Sequence, residues 1–309
     1  MEEDGEILMI VMLLFLVLII LGKMYGAYKR EDSVPIMDSV SSVSSSIANA
    51  GKDVLGLSIT FISFGWMVSK MAVFYLVANI FTYLVAFIII DFYGYWTPFI
   101  AHQANFSLNK HAIHHSSEEF NLAYTLKQTV SSFINLFPFL LIPAAIIEVA
   151  IAIIVITLLI QLFLQFWYHT KHIKKVGFLV HILVILSHHT VHHAINPKYM
   201  DKNYSQIFII WDKLFHAFQE ELKDPHPVYG ITRPAKTWSP IRINFQHLGL
   251  LISAAWHDDN RKNRFAIWFK YSLLFRTLVW TQFSISKGKL FNYRLPPTFI
   301  SNGNLFCGF

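Results

Sequence analysis

Fifteen histidines stand in this chain of 309 residues, and two groups of them repeat one spacing. His111-Ala-Ile-His114-His115 and His189-Thr-Val-His192-His193 both read H-x-x-H-H, the second with His188 directly before it. On a helix, positions i, i+3 and i+4 share one face, so each group turns three imidazoles in a common direction. Neutral imidazole is a good ligand for iron, zinc or copper, and so many converging rings suit two metal ions better than one. His102 and His169 lie at the ends of apolar blocks, where they are placed to join the same site. A lone histidine is usually a surface or hydrogen-bonded residue, but the same triplet occurring twice reads as a metal site. A structural zinc site needs only four ligands, and cysteine is missing from both groups. A b-type haem takes single axial histidines within spans, not triplets beside them.

The elements that must position these groups are membrane elements. Hydrophobic residues make up 54% of the chain and charged residues 14%, with 28 Phe, 8 Trp and 13 Tyr, where an average soluble domain is about 25% charged. Mean hydropathy is +0.45. A soluble globule of this size has too little interior for that apolar surface, so disorder and an ordinary soluble domain are both excluded. The single cysteine, Cys307, can form no internal disulfide. Charge is uneven: residues 1–168 hold 7 Lys+Arg and 12 Asp+Glu, residues 169–309 hold 18 and 7. The basic half has no compact Lys/Arg block and no recognition motif, which speaks against nucleic acid and for a cytosolic, anionic leaflet.

Ile7–Leu21 is an apolar run with acidic residues before it and Lys23, Lys29 and Arg30 after it, the polarity of an uncleaved span with its basic end in the cytosol. Residues 31–53, rich in Ser and Asp, read as a polar connector. Leu55–Ile90 and Phe133–Trp167 follow, each about 35 residues or roughly 50 Å of helix, against a hydrocarbon core about 30 Å thick. Each is therefore expected to enter and return as two helices, with Ser69 and Lys70 as turn residues in the first and Pro138, Pro143 and Glu148 interrupting the second. Such hairpins leave every histidine group on the cytosolic side. Further on, Tyr204–Phe218 reads as an amphipathic helix, Val228–Pro240 as a surface loop and Phe265–Trp280 as an interfacial helix. The expected fold is all-α, a multi-span integral membrane bundle of about five membrane-entering helices with a cytosolic histidine-rich cap.

Asp91-Phe-Tyr-Gly-Tyr-Trp96, His102 and His111-Ala-Ile-His-His-Ser-Ser-Glu118-Glu-Phe-Asn121 resemble the fatty acid hydroxylase/sterol desaturase superfamily of membrane di-iron enzymes. Within it, Phe166-Trp-Tyr-His169-Thr, Ser187–His193, Asp201-Lys-Asn-Tyr204, Ile209–Lys213 and Val228-Tyr-Gly-Ile-Thr232 look most like the alkylglycerol monooxygenase branch. The resemblance runs from residue 55 to 270, which sets three segments: an anchor and connector at 1–54, a di-iron membrane domain at 55–270 and a divergent tail at 271–309. It implies two irons, held by His102, His111, His114, His115, His189, His192 and His193, with His169 a further family histidine. It implies O2 as co-substrate, a membrane lipid as substrate, and an electron donor that is tetrahydrobiopterin in the alkylglycerol branch and a cytochrome with its reductase elsewhere. Endoplasmic reticulum is the implied compartment. In the alkylglycerol branch the hydroxylated carbon adjoins the ether oxygen, so the product falls apart to an aldehyde and a glycerol derivative. Fatty acid or sterol hydroxylation is the neighbouring implication. Glu118, one turn after His115, is placed to orient a ligand imidazole by accepting its other N–H, or to stand as a solvated carboxylate. Asp91, Asn121, Asp201, Asn203, Tyr204, Trp211 and Asp212 belong to the signature and are expected to steady the ligands or to pack.

One position departs from the pattern. The first box of the family is H-x-x-x-H, and here Pro98 stands four residues before His102, where the first histidine belongs. Proline has no side-chain donor, and it limits where a local helix can begin. Either water, Glu118, His172 or His188 fills that coordination position, or the chain is an impaired relative that binds lipid or metal without turnover.

Overall fold

A computed structural model describes residues 36–117, 141–166, 177–231 and 239–269, together with a few single positions. Among them the regular structure is helical: α1 Ile36–Met71, α2 Ile80–Gln103, α3 Asn105–His114, α4 Ile142–Ile146, α5 Ile151–Phe166, α6 Leu186–His192, α7 Ile210–Leu214, α8 Pro240–Trp256 and α9 Arg261–Phe269. Most of Ile7–Leu21, and all of Glu118, Asn121, His169, His172 and the tail at 271–309, lie outside the described residues.

The polar stretch expected as a connector is helical from Ile36 onward, so α1 runs unbroken through it. No proline or run of glycines interrupts 36–71, and two of its hydroxyls bond back within the helix: Ser44 Oγ donates to the Val40 carbonyl and Thr60 Oγ1 to that of Gly56, both at 2.7 Å. Back-bonding of this kind lets Ser and Thr sit in a helix without an outside partner. The first block is divided into two helices, but the break comes later than Ser69 and Lys70, at residues 72–79. Asn79 then caps α2, its side chain accepting from the Thr82 N–H at 3.1 Å. In the second block the break falls at residues 147–150, where Glu148 takes φ 47°. The two turns are tied together by the Val73 N–H, which donates to the Ile146 carbonyl at 2.8 Å.

Phe64 and Met67 of α1, Ala86 and Ile90 of α2, and Ala144, Ala145, Val149 and Ile153 form one buried cluster. The outer faces of the same helices are apolar too: Ile59, Ile62 and Trp66 of α1 and Ile80, Phe81 and Leu84 of α2 are exposed. An apolar outer face of this kind suits contact with lipid. α2 is the one helix among the described residues that is long and apolar enough to cross a membrane, and α5 is a shorter apolar helix.

Tyr204–Phe218, expected as one amphipathic helix, is mostly irregular, with only α7 helical. Two carboxylates explain the difference. Asp212 accepts the N–H groups of Tyr204 and Ser205 at 2.7 and 2.9 Å, and Asp91 those of Ile207 and Phe208 at 2.8 and 3.2 Å. Pro98 does not mark a helix start either, for α2 continues through it to Gln103. The proline removes one hydrogen bond to the Gly94 carbonyl, a defect worth about 3 kcal/mol in a helix interior.

Candidate metal centre

Three helices carry the histidines. His102 ends α2, His111 and His114 lie on α3 with His115 as its C-cap, and His189 and His192 lie on α6 with His193 as its C-cap. Both H-x-x-H-H triplets thus take the helical geometry that their spacing requires. Their imidazoles do not stay together by triplet, however. One group consists of His102, His111, His115 and His192, the other of His114, His189 and His193, with the donor atoms of each group within 4.8 Å of one another. Each helix gives its i and i+4 rings to one group and its i+3 ring to the other.

In the four-histidine group, Nε2 of His111 lies 2.9 Å from that of His115 and 3.1 Å from that of His192, and the last two are 3.2 Å apart. In the second group the Nε2 atoms of His189 and His193 are 2.9 Å apart. Metal–imidazole bonds are about 2.0–2.1 Å long, so nitrogens at these separations can share one ion. The groups adjoin: ring centroids of His115 and His193 are 4.3 Å apart, those of His114 and His193 4.7 Å. Burial, followed by the neighbouring imidazoles, holds His115 and His193 well below the usual histidine range. They are therefore neutral, which is the form that binds a metal. Convergent imidazoles in two adjoining groups fit iron.

Residues 201–204 brace the four-histidine group. Asp201 Oδ1 lies 3.2 Å from His102 Nδ1, and the Lys202 carbonyl 3.2 Å from His192 Nδ1. With each Nδ1–H donated there, Nε2 is left as the lone-pair nitrogen, the arrangement by which a carboxylate or carbonyl orients a metal-binding histidine. Asn203 donates to the carbonyls of His188 and Gln219 at 3.0 and 2.7 Å. The Tyr204 ring stands 5.2 Å from that of His102. Asp201 and Asn203 both have positive φ, 59° and 54°, a conformation that Asp and Asn adopt more readily than most residues.

The remaining signature residues pack. Trp211 Nε1 donates to Asp91 at 2.8 Å. Burial raises the Asp212 carboxyl to about 6, against the Ser205 and Tyr204 hydrogen bonds that pull it down. His188 stands outside both groups: its Nδ1 accepts from the Ile185 N–H at 3.4 Å and its ring meets Phe218 edge-on. Two contributors escaped the sequence reading. Lys202 acts through a backbone carbonyl, which no side-chain pattern reveals. Tyr168, buried with its ring 4.6 Å from that of His189, was signalled only by its place beside His169.

Residues 83–217, which hold all seven of these histidines, match the fatty acid hydroxylase family. Relatives named alkylglycerol monooxygenase are 38% identical in Homo sapiens, 37% in Danio rerio and 34% in Xenopus tropicalis; each match covers 61% of this chain and 42% of the relative. The chain thus spans less than half the length of these relatives. No solved structure matches it. The similarity to the fatty acid hydroxylase family thus falls on the segment 83–217, the one that carries the two interleaved histidine groups.

Proposed function

We propose that the chain is an O2-dependent di-iron lipid monooxygenase acting on alkylglycerol-type ether lipids. The observation that carries this is the pair of adjoining histidine groups: His102, His111, His115 and His192 would hold one iron, His114, His189 and His193 the other. His169 is proposed as a further ligand. Iron, when bound, supplies the O2 activation that places a hydroxyl on an unactivated C–H bond. The protein's own residues do the rest. Asp201 and the Lys202 carbonyl keep the Nδ1 protons of His102 and His192, so that their Nε2 lone pairs face the centre. The Tyr204 ring, packed with Tyr95 and Phe99 in one aromatic cluster, stands beside His102.

Ether lipids are favoured because the relatives matched carry the name alkylglycerol monooxygenase. Hydroxylating the carbon beside the ether oxygen takes one O2, two electrons and two protons and releases water. The C–O bond of the resulting hemiacetal then breaks to give an aldehyde and a glycerol derivative. Tetrahydrobiopterin is the proposed donor and the endoplasmic reticulum the proposed membrane, with the histidine site toward the cytosol. A long alkyl chain costs about 0.8 kcal/mol per CH2 to expose, which is why the substrate is taken from lipid.

Pro98 favours a second reading, in which the centre is incomplete and the chain binds lipid or metal without turnover. Detergent-solubilised protein loaded with Fe(II) separates the two. About two irons per chain with pterin-dependent loss of an alkylglycerol supports the enzyme. One iron or none, with no O2 consumption on ether lipids, fatty acids or sterols, overturns the enzyme and supports the impaired relative.

A further inference from the structure

α8 has three faces rather than two. Ile243, His247 and Leu251 are buried, and Nε2 of His247 donates to the Asn105 carbonyl at 3.3 Å, at the start of α3. Asn105 Nδ2 donates in turn to the Ile267 carbonyl of α9 at 2.8 Å, so α8 and α9 are both pinned to the helix that carries His111 and His114. On the opposite side, Ile241, Phe245, Ile252 and Trp256 are exposed, Ile241 by 73% and Trp256 by 76%. Their spacing of i, i+4, i+11 and i+15 makes a single stripe along the helix. Beside that stripe, Arg242 and Ser253 are exposed and Gln246 is half-buried, which makes a narrow polar strip between the apolar stripe and the core side.

A helix in water needs a buried face and a polar face. A helix within hydrocarbon needs no polar strip. A third, apolar and exposed stripe beside a polar strip is what the boundary between lipid and water demands. Charge selects the kind of lipid: Arg242, Arg261, Lys262 and Arg264 are all exposed on α8 and α9. Of the two acidic residues between the helices, Asp258 is engaged locally, accepting the Asn260 N–H at 2.9 Å.

We infer that Ile241, Phe245, Ile252 and Trp256 of α8 lie in the headgroup–acyl boundary of an anionic leaflet, with the cations of α8 and α9 on its phosphates. The inference needs no metal and stands apart from the proposed activity. It also gives the histidine site a fixed height, because the same two helices grip the start of α3.

The test uses the full chain in nanodiscs of phosphatidylcholine, with and without phosphatidylserine. Cys307, the only cysteine, is replaced by serine, and Ile252→Cys or Gln246→Cys is spin-labelled. Collisions with O2, which concentrates in lipid, are compared with collisions with a water-soluble nickel chelate. The expected result is an O2-to-chelate ratio well above that of a free label in water at 252, and a clearly lower one at 246 than at 252. The triple change Arg261→Gln, Lys262→Gln and Arg264→Gln should then shift the label at 252 toward water in the discs that contain phosphatidylserine, and leave it in place in phosphatidylcholine alone. A chelate-dominated signal at both positions places the stripe in water and overturns the inference. A label at 252 shielded from both reagents places a second copy of the chain on the stripe and overturns it equally. An identical shift in both kinds of disc overturns the choice of an anionic leaflet.

Discussion

Asp201 shows how one residue can be visible in sequence while its task is not. Asp201-Lys-Asn-Tyr204 belongs to the signature, yet the partner of Asp201, His102, lies 99 positions away. Only the fold reveals the pair. Because Asp201 sits at φ 59°, where asparagine is also tolerated, Asp201→Asn removes the charge without straining the backbone. Losing an outer partner of a metal-bound histidine costs about 10–100-fold in metal affinity. Asp201→Asn should therefore weaken iron retention by about that factor against a competing chelator, while the melting temperature of the apo protein stays close to that of the parent. Equal loss of fold and metal would show that Asp201 is merely structural. Gly94 makes the complementary point. A Cβ at Gly94 would run into the Gln206 side chain, whose own Cβ lies 2.8 Å away. Gly94→Ala should cost about 1–3 kcal/mol through forced displacement, read as a lowered melting temperature in detergent.

The element scale explains why the two triplets exchange rings. On a helix, i and i+4 differ by about 40° in direction, whereas i+3 falls about 60° to the other side of i. A triplet packed against its twin thus sends a pair one way and a single ring the other. The shared face was legible from the spacing, but the division was not, since it depends on how α3 and α6 are set against each other. The missed course of residues 204–218 has a similar origin: Asp91 and Asp212 draw off N–H groups that a helix would have used, and neither partnership is local enough to read. The first part of α1, expected as a connector, was illegible for the opposite reason: it is helical without apolar periodicity, with the Ser44 hydroxyl bonded back to the Val40 carbonyl. The interleaving has a consequence for loading. An ion in either group fixes both α3 and α6, and so orders ligands of the other group before its ion arrives. Native mass spectrometry during Fe(II) addition should show apo and two-iron protein with the one-iron form depleted below independent binding. His114→Ala, which takes a ring only from the three-histidine group, should also weaken retention of the remaining ion. A statistical one-iron population would count against this coupling.

For the molecule as a whole, composition already dictated a membrane protein, because no soluble interior could take up so much apolar surface. What composition could not say is how the two apolar blocks are joined, where a backbone hydrogen bond ties the break after α1 to the end of α4. Whether the assembled protein turns over depends on the one place where its chemistry departs from its pattern. Pro98 lies one turn before His102 in α2, on the side of the helix from which His102 enters the four-histidine group. Pro98→His returns two things: an N–H for the Gly94 carbonyl, and an imidazole at i−4 from an existing ligand. The first should raise thermal stability by up to about 3 kcal/mol, whatever the metal does. The second should raise iron retained per chain and, with pterin and an alkylglycerol supplied, the rate of aldehyde release. Stability gained without added iron or rate would mean that the proline is a helix defect and nothing more. If the parent already turns over and the substitution leaves its rate unchanged, the seven described histidines and their braces suffice for the chemistry.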